Sequence, residues 1–168
     1  MTSPFVAILM GSDSDLPVMQ ATIDILKQFD ITHEVRVRSA HRTPDAAKAY
    51  VKDAEKRGCK VFICAAGLAA HLAGAVAGMT TRPVIGVPID CGPLQGHDAL
   101  LSTVMMPGGI PVATVAIGKA GAKNAGYLAA QILGVADQRM ADKVKAEREA
   151  NAKALLAKDE AMQAKLSK

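Results

Sequence analysis

The chain has 168 residues, of which half are apolar and only 3% are aromatic, and it contains no tryptophan. A chain of this length can bury most of its apolar surface in a single core, here one built from Ala, Val, Ile, Leu and Met. The formal net charge is +4, but Lys and Arg are interleaved with Asp and Glu and form no basic block. A nucleic-acid partner is therefore not expected.

The cysteines and the first residues bear on cellular location. Cys59, Cys64 and Cys91 are odd in number and lack the spacing of a structural zinc site. This favours free thiols, no metal and a reducing cytoplasm. The apolar run at 5–10 is too short for a signal peptide and has no charged segment before it, so none is expected. Membrane association is not expected either, because no segment reaches roughly 20 apolar residues.

Apolar runs and amphipathic segments alternate along the chain. The sequence FVAILM at 5–10 is a continuous apolar run ended by Gly11, which is typical of a strand covered on both faces. Further strands are predicted at 32–38, 60–66, 83–89 and 111–117, with helices at 16–29, 44–57, within 68–79, at 96–105 and at 121–133. This alternation predicts a parallel sheet between two helical layers, a three-layer α/β/α fold of flavodoxin-like type.

The composition changes at Val135 to Ala, Lys, Glu and Gln, which predicts a long helix with a mostly solvated surface. Its apolar positions form a narrow stripe, made of Met140, Val144, Leu155, Leu156, Met162 and Leu166. We expect residues 1–134 to form the flavodoxin-like unit and residues 135–168 to be a helical extension of the same domain. Such a helix is expected to pack on a neighbouring subunit or to fray.

Four segments with chemically versatile side chains follow the first four predicted strands. They are GSDSD at 11–15, SAHRTP at 39–44, AGLAAHLAG at 66–74 and DCGPLQGHD at 90–98. In open parallel sheets ligands bind beyond the carboxyl ends of the strands, where loops and helix N-termini converge. The sequence therefore predicts that these segments share one site.

The GSDSD segment allows three interpretations. Its Ser and Asp side chains are suited to capping the following helix. Alternatively, its backbone N–H groups and a Ser hydroxyl bind a phosphate while a carboxylate accepts from ribose hydroxyls. A third possibility is a Mg²⁺ site of Asp13 and Asp15, with Asp90 as the nearest further candidate. The segment matches neither the P-loop nor the dinucleotide-binding pattern.

The SAHRTP segment contains a helix start, with Thr43 as the N-cap and Pro44 in the first helical position. His41 and Arg42 lie just outside it. They are either solvated loop residues or a functional pair. In the second case the planar guanidinium of Arg42 binds an anion and His41 transfers a proton beside it.

The remaining histidines and one loop are less specific. His71 lies among small apolar residues, which favours a buried ring bonded to a backbone carbonyl, although the small neighbours also allow a flat ligand to approach. His97 is expected to cap or flank a helix, and His33 to lie on an exposed strand face. The segment MMPGGIP at 105–111 is either a plain connection or a lid over the site.

Several motifs in fixed order resemble those of a known family. MGSDSD, SAHRTP, AAHLAG, VPI and MPGGIPVATVAIGKAGAKNAGYLAAQIL resemble the bacterial N5-carboxyaminoimidazole ribonucleotide mutases over residues 5–134. The resemblance implies a flavodoxin-like homo-octamer with active sites at subunit junctions. It also implies transfer of a carboxylate from the exocyclic nitrogen to C4 of the imidazole in purine biosynthesis, without metal, ATP or organic cofactor.

The resemblance also assigns roles to residues. Phosphate and ribose contacts are implied for Ser12, Asp15 and Arg42, with Ser14 and Ser39 as additional ligands. The general acid and base is implied to be His41. The loop from Gly67 to Leu72, which includes Ala70, would lie against the imidazole and carboxylate, with His71 in support.

This chain departs from the family at two positions. Many relatives have Gly where it has Leu68, and a basic residue where it has Gly108. The first change is expected to reshape the imidazole pocket, and the second to remove an anion contact. Three alternatives stay open: a sister carboxylase that uses free CO₂, a non-catalytic module that binds a phosphorylated metabolite, and a receiver-like Mg²⁺ switch in which Lys119 takes part.

Overall fold

The computed structural model of the protein describes residues 4–167. The strands are β1 (Phe5–Met10), β2 (His33–Val37), β3 (Cys59–Ala66), β4 (Val84–Pro88) and β5 (Ala113–Thr114). The helices are α1 (Leu16–Gln28), α2 (Pro44–Lys56), α3 (Leu72–Ala77), α4 (His97–Val104), α5 (Gly118–Gly134) and α6 (Gln138–Leu166), with a short 3₁₀ turn at Asp13–Asp15.

All five strands are parallel and lie in the order β2-β1-β3-β4-β5. This is the doubly wound order of flavodoxin-like proteins, in which the direction of winding reverses between β1 and β3. The predicted three-layer α/β/α fold with a long C-terminal helix is therefore confirmed. Loops after β1 and β3 diverge at the reversal, which opens a crevice at the carboxyl edge of the sheet.

Alternate residues of β1 face the two helical layers. Ile8 packs into a core with α1 and α5, whereas Leu9 packs into a second core with α2 and α3. Both residues are completely buried, so the strand is covered on both faces as its apolar sequence predicted. Small side chains bring helices close together, and a Cβ added to Gly126 of α5 would lie 2.8 Å from Cβ of Ile25 in α1.

Two elements are shorter than predicted. Helix α3 begins at Leu72, because Leu68 has a positive φ of 55° that no α-helix can contain. Strand β5 has only two residues, although a strand was predicted at 111–117. Pro111 has no N–H to donate, and the chain after Val115 turns towards the start of α5, so this edge strand pairs with β4 only briefly.

Helix α6 divides into two parts. Met140 and Val144 pack on the core of the same chain, and Lys143 Nζ lies 2.7 Å from Asp30 Oδ2. The helix was expected to pack on a neighbouring subunit or to fray, and this first part of it packs on its own chain. Leu155 and Leu166 are 68% and 73% exposed, so the far part of the helix stands away from the core.

Two further findings concern the thiols and the lengths of the helices. All three cysteines are free, and burial raises the pKa of Cys59 to about 11, which keeps this thiol neutral. Within residues 4–167, none of the helices combines the length and the apolar character that a transmembrane span requires.

Strand β2 is tied to α2 by a charged cluster. Arg57, which follows α2, forms an ion pair with Glu34 of β2, and the Tyr50 hydroxyl donates to Glu34 Oε2 over 2.9 Å. The Arg57 guanidinium holds the pKa of Glu34 below its usual value. The cluster holds β2 in place at the edge of the sheet, and the SAHRTP segment follows directly after this strand.

The Glu34→Gln variant tests this cluster. A carboxyl whose pKa is lowered by folding stabilises the protein above its ordinary pKa, 4.5 for Glu34, and loses that contribution as the pH falls. We expect the variant to unfold a few degrees lower than the wild type at neutral pH, with the difference shrinking towards acid pH. Asp53→Asn is the matched control, since Asp53 contacts the same guanidinium but is more exposed, and its effect should be smaller. A difference that grew on acidification would contradict this account.

Candidate active site

The loops after β1, β2, β3 and β4 enclose a cleft of about 460 Å³ at the carboxyl edge of the sheet. The cleft contains nine of the ten residues predicted for the site, namely Ser12, Ser14, Asp15, Ser39, His41, Arg42, Gly67, His71 and Leu72. The tenth, Ala70, is buried behind the cleft, where its carbonyl oxygen accepts from Thr103 Oγ1. The prediction did not include Cys91, a half-buried thiol that also lines the cleft.

The loop after β1 is folded onto itself. The Ser12 N–H donates to Asp15 Oδ2 over 3.1 Å, and the Ser14 N–H donates to Ser12 Oγ over 3.3 Å. This reciprocal pair caps the 3₁₀ turn, whereas α1 has no side-chain cap of its own. The capping interpretation is therefore correct for the turn and wrong for the helix. Both serine hydroxyls still lie at the cleft surface, 2.8 Å apart.

Asp15 is the buried carboxylate of the site, with 6% of its surface exposed. Burial raises the pKa of its carboxyl, and the N–H groups of Ser12 and Gly11 offset part of that rise. Backbone N–H donors thus hold the carboxyl in place, although removing the carboxylate from water costs free energy. A fixed acceptor of this kind suits hydroxyl groups of a ligand.

The loop after β2 is a tight turn closed by Ser39 and Thr43. Thr43 Oγ1 accepts from the Ser39 N–H over 3.0 Å, and Ser39 Oγ accepts from the Arg42 N–H over 3.1 Å. Thr43 stands at the N-cap position of α2, with Pro44 following it, but its hydroxyl does not cap the helix. The predicted helix start is correct in position, and the role of the Thr43 side chain is corrected.

Arg42 joins the first two loops. Its Nη2 donates to the carbonyl oxygen of Gly11 over 3.0 Å, which aims the guanidinium across the cleft towards the GSDSD loop. The side chain is exposed, and the guanidinium has five N–H donors in a planar fork. It is therefore positioned to bind an anion that enters beside Ser12.

His41 and His71 form a direct pair. His41 Nε2 lies 2.8 Å from His71 Nδ1, and the two rings meet edge to face with centroids 4.9 Å apart. His71 is exposed at the start of α3, so the expectation of a buried ring bonded to a carbonyl is wrong. A hydrogen bond between two ring nitrogens needs one proton between them, so the pair can hold and pass a proton.

The other two histidines lie outside this cleft. His97 Nδ1 is 3.0 Å from the carbonyl oxygen of Leu94 at the start of α4, as expected for a residue that flanks a helix. His33 is half-buried rather than exposed, with Nδ1 2.9 Å from the carbonyl oxygen of Ile31. Each ring is satisfied locally by backbone.

The segment 105–111 connects α4 to β5 and packs against α3. Met106 lies against α3, where a Cβ added to Gly74 would be 3.0 Å from the Met106 sulfur. Among the described residues, none of 105–111 lines the cleft. Met105 is 78% exposed and Ile110 is also exposed. Residues 109–111 line a separate cavity with residues 80–84, at the amino end of β4, so the segment presents apolar side chains to solvent away from the cleft.

The carboxylates do not assemble into a metal site. Asp15 turns inward to backbone N–H groups, and the Asp90 carboxylate lies against Gly118 at the start of α5. Within residues 4–167 there is no group of three or more His, Cys, Asp or Glu side chains placed to hold a metal ion. The magnesium alternative therefore lacks its ligand set.

Comparison with known proteins gives the family. A family model described as AIR carboxylase matches residues 5–154. The chain belongs to the AIR carboxylase family. It is 56% identical over 146 residues to the N5-carboxyaminoimidazole ribonucleotide mutase of Thermotoga maritima, covering 87% of this chain and 84% of the relative. It is 54% identical to the mutase of Bacillus subtilis, covering 87% and 90% of the two chains.

A solved structure shares the fold. The crystal structure of Treponema denticola PurE superposes with a TM-score of 0.85 at 34% sequence identity, over 94% of this chain and 98% of that one. The architecture in which the cleft is built is therefore that of the family. The family model extends 20 residues beyond position 134 and ends within α6.

The Asp15→Asn variant tests the buried carboxylate. A carboxyl whose pKa is raised by folding favours the folded state below its ordinary pKa, 3.8 for Asp15, and loses that contribution as the pH rises. Asparagine keeps an oxygen acceptor and removes the charge. We expect the variant to unfold a few degrees higher than the wild type at neutral pH, measured by thermal unfolding, and the gain to vanish towards acid pH. A variant less stable at neutral pH would show that the backbone hydrogen bonds outweigh burial.

Proposed function

We propose that this protein is an N5-carboxyaminoimidazole ribonucleotide mutase of purine biosynthesis, an isomerase that moves a carboxylate from the exocyclic nitrogen to C4 of the imidazole. The observation that carries the proposal is one cleft in which Arg42, the serine loop and the His41–His71 pair face a common space. The relatives of this chain that are more than half identical and bear that name support the same reaction.

The anionic end of the substrate binds between the first two loops. Arg42 and the hydroxyl of Ser12 hold the phosphate, with Ser14 and Ser39 as further ligands. Asp15 accepts from the ribose hydroxyls, for which its fixed carboxylate is suited. The imidazole then lies against the loop from Gly67 to Leu72, where the small residues Gly67 and Ala69 leave room for a flat ring.

The reaction needs one proton carrier and a closed space. His41 donates a proton to the exocyclic nitrogen as its bond to the carboxylate carbon breaks, which gives the aminoimidazole and CO₂. C4, which is enamine-like, attacks that CO₂ and forms the new carbon–carbon bond. His41 then takes the C4 proton and restores aromaticity, so no proton is gained or lost overall. Holding both fragments together supplies most of the rate enhancement.

His71 serves this cycle as a positioning residue. The hydrogen bond between His71 Nδ1 and His41 Nε2, over 2.8 Å, fixes the orientation of the His41 ring. Through this bond His71 accepts a proton from His41 Nε2 or returns it. An unsupported, exposed histidine ring would sample several rotamers, so the pairing reduces the entropy lost when substrate binds. No metal, ATP or organic cofactor enters the proposed cycle.

The active enzyme is proposed to be a cytoplasmic homo-octamer in which 1–134 is the catalytic unit and 135–168 its helical extension. The exposed apolar side chains of α4 and the loop after it support such an assembly, because isolated chains rarely display them together. Leu101 is 60% exposed, and Val104, Met105 and Ile110 continue the patch.

An ultraviolet assay with the carbamate substrate, EDTA and no added bicarbonate tests the function. We expect the 4-carboxylated product to form under these conditions. Formation only from aminoimidazole ribonucleotide at high bicarbonate would instead favour a carboxylase, which is the second candidate because the family is described as AIR carboxylase. If the protein bound both ribonucleotides and converted neither, the remaining candidate function would be that of a non-catalytic binding module.

Two substitutions separate proton transfer from binding. His41→Asn should lower kcat by about 10² to 10⁴ while substrate still binds, because a general acid and base contributes on that order. Arg42→Ala should instead raise KM about tenfold or more with a smaller effect on kcat, since phosphate is bound alike in ground and transition states.

The control for the histidine is His97→Asn, which lies outside the cleft and should leave both constants unchanged. The control for the arginine is Arg42→Lys, which keeps the charge and should give an intermediate KM. A near-native kcat in His41→Asn would refute the proton-transfer role. An unchanged KM in Arg42→Ala would refute phosphate binding by that residue.

A further inference from the structure

Leu68, in the loop after β3, has an unusual backbone. Its φ is 55°, and among residues 4–167 only two other non-glycine residues, Asp30 and Gln95, share a positive φ. Leucine is disfavoured in this left-handed region, because its Cβ crowds the following carbonyl oxygen and its side chain has no polar group to compensate. A conformation of this kind persists only where the surrounding structure enforces it, and such positions cluster at functional sites.

The Leu68 side chain lines the cleft and reaches from the loop after β3 to the loop after β4. Its Cδ2 rests on Gly92, where an added Cβ would lie 2.6 Å away. The preceding residue is equally close to that loop, since a Cβ on Gly67 would lie 2.1 Å from the Cys91 sulfur. The two loops are therefore packed together by glycines that leave space for the leucine, and half of the leucine surface, 51%, remains exposed.

An apolar group at this place suits one requirement of the proposed reaction. The intermediate CO₂ is small and uncharged, so charged groups such as Arg42 do not retain it. It stays beside C4 only if the walls of the cleft are closed and water is kept out. The polar side of the cleft, with Ser12, Asp15 and Arg42, provides no such wall, whereas Leu68 adds an isobutyl group to the side formed by the third and fourth loops.

We propose that Leu68 is an apolar cover by which this chain retains CO₂ during carboxylate transfer, and that its disfavoured backbone conformation is accepted because the side chain forms that cover. This inference rests on the proposed mutase function. In this proposal Leu68 determines whether the CO₂ intermediate is retained and does not contribute to the affinity for the substrate. Loss of the side chain should therefore alter the partition of products more than KM.

The experiment uses the full-length chain in its native oligomer. Wild type, Leu68→Gly and Leu68→Ala are each given the carbamate substrate without bicarbonate, and the carboxylated product and the free aminoimidazole ribonucleotide are quantified after subtraction of an enzyme-free blank. In both variants the free aminoimidazole share should rise about threefold or more, because each lacks the cover. Leu68→Gly should also unfold at a temperature no lower than Leu68→Ala, since glycine adopts this φ without strain.

The matched control is Gln95→Gly, which relieves a similar backbone, with φ of 51°, outside the cleft, and should leave the partition unchanged. An unchanged partition in both Leu68 variants would overturn the proposal. A rise in the glycine variant alone would overturn it too, because backbone freedom and not the side chain would be responsible. A changed oligomer mass with the wild-type partition would reassign Leu68 to a subunit contact. Absence of carboxylated product from the wild type would instead refute the mutase function itself.

Discussion

The burial of β1 and β3 on both faces is the constraint from which the rest of the structure follows. Neither strand has a solvated face, so polar chemistry can only be located where the strands end. The winding order reverses between these two strands, and the loops at their carboxyl ends separate there. The cleft is a consequence of how the sheet is covered.

Within that cleft, contacts between loops hold the functional side chains in position. The Arg42 guanidinium bonds the Gly11 carbonyl and joins the first two loops, and the His41–His71 pair joins the second and third. The Leu68 side chain on Gly92 joins the third and fourth. Residues suited to substrate binding and proton transfer thus also order the site before substrate arrives, which lowers the entropy lost on binding.

The small-residue composition has opposite effects in the interior and at the surface. Glycine and alanine let helices and loops approach closely, as at Gly126 against Ile25 and Gly67 against Cys91. They bury little apolar area per residue, and several larger apolar side chains of α4 and α6 remain exposed on the single chain. A subunit partner would complete burial that this core does not achieve alone.

The sequence by itself determined the parallel α/β/α order, the long C-terminal helix and the group of segments that line the cleft, because periodicity and strand-end position are local properties. Tertiary structure decided what each side chain contacts. His71 was expected to be buried, but the chain trajectory at Leu68 brings it to the surface beside His41, thirty residues away. Likewise, Thr43 bonds Ser39 and not the helix it precedes, and Val144 packs on its own chain. These outcomes depend on distances between segments remote in sequence, which no local pattern encodes.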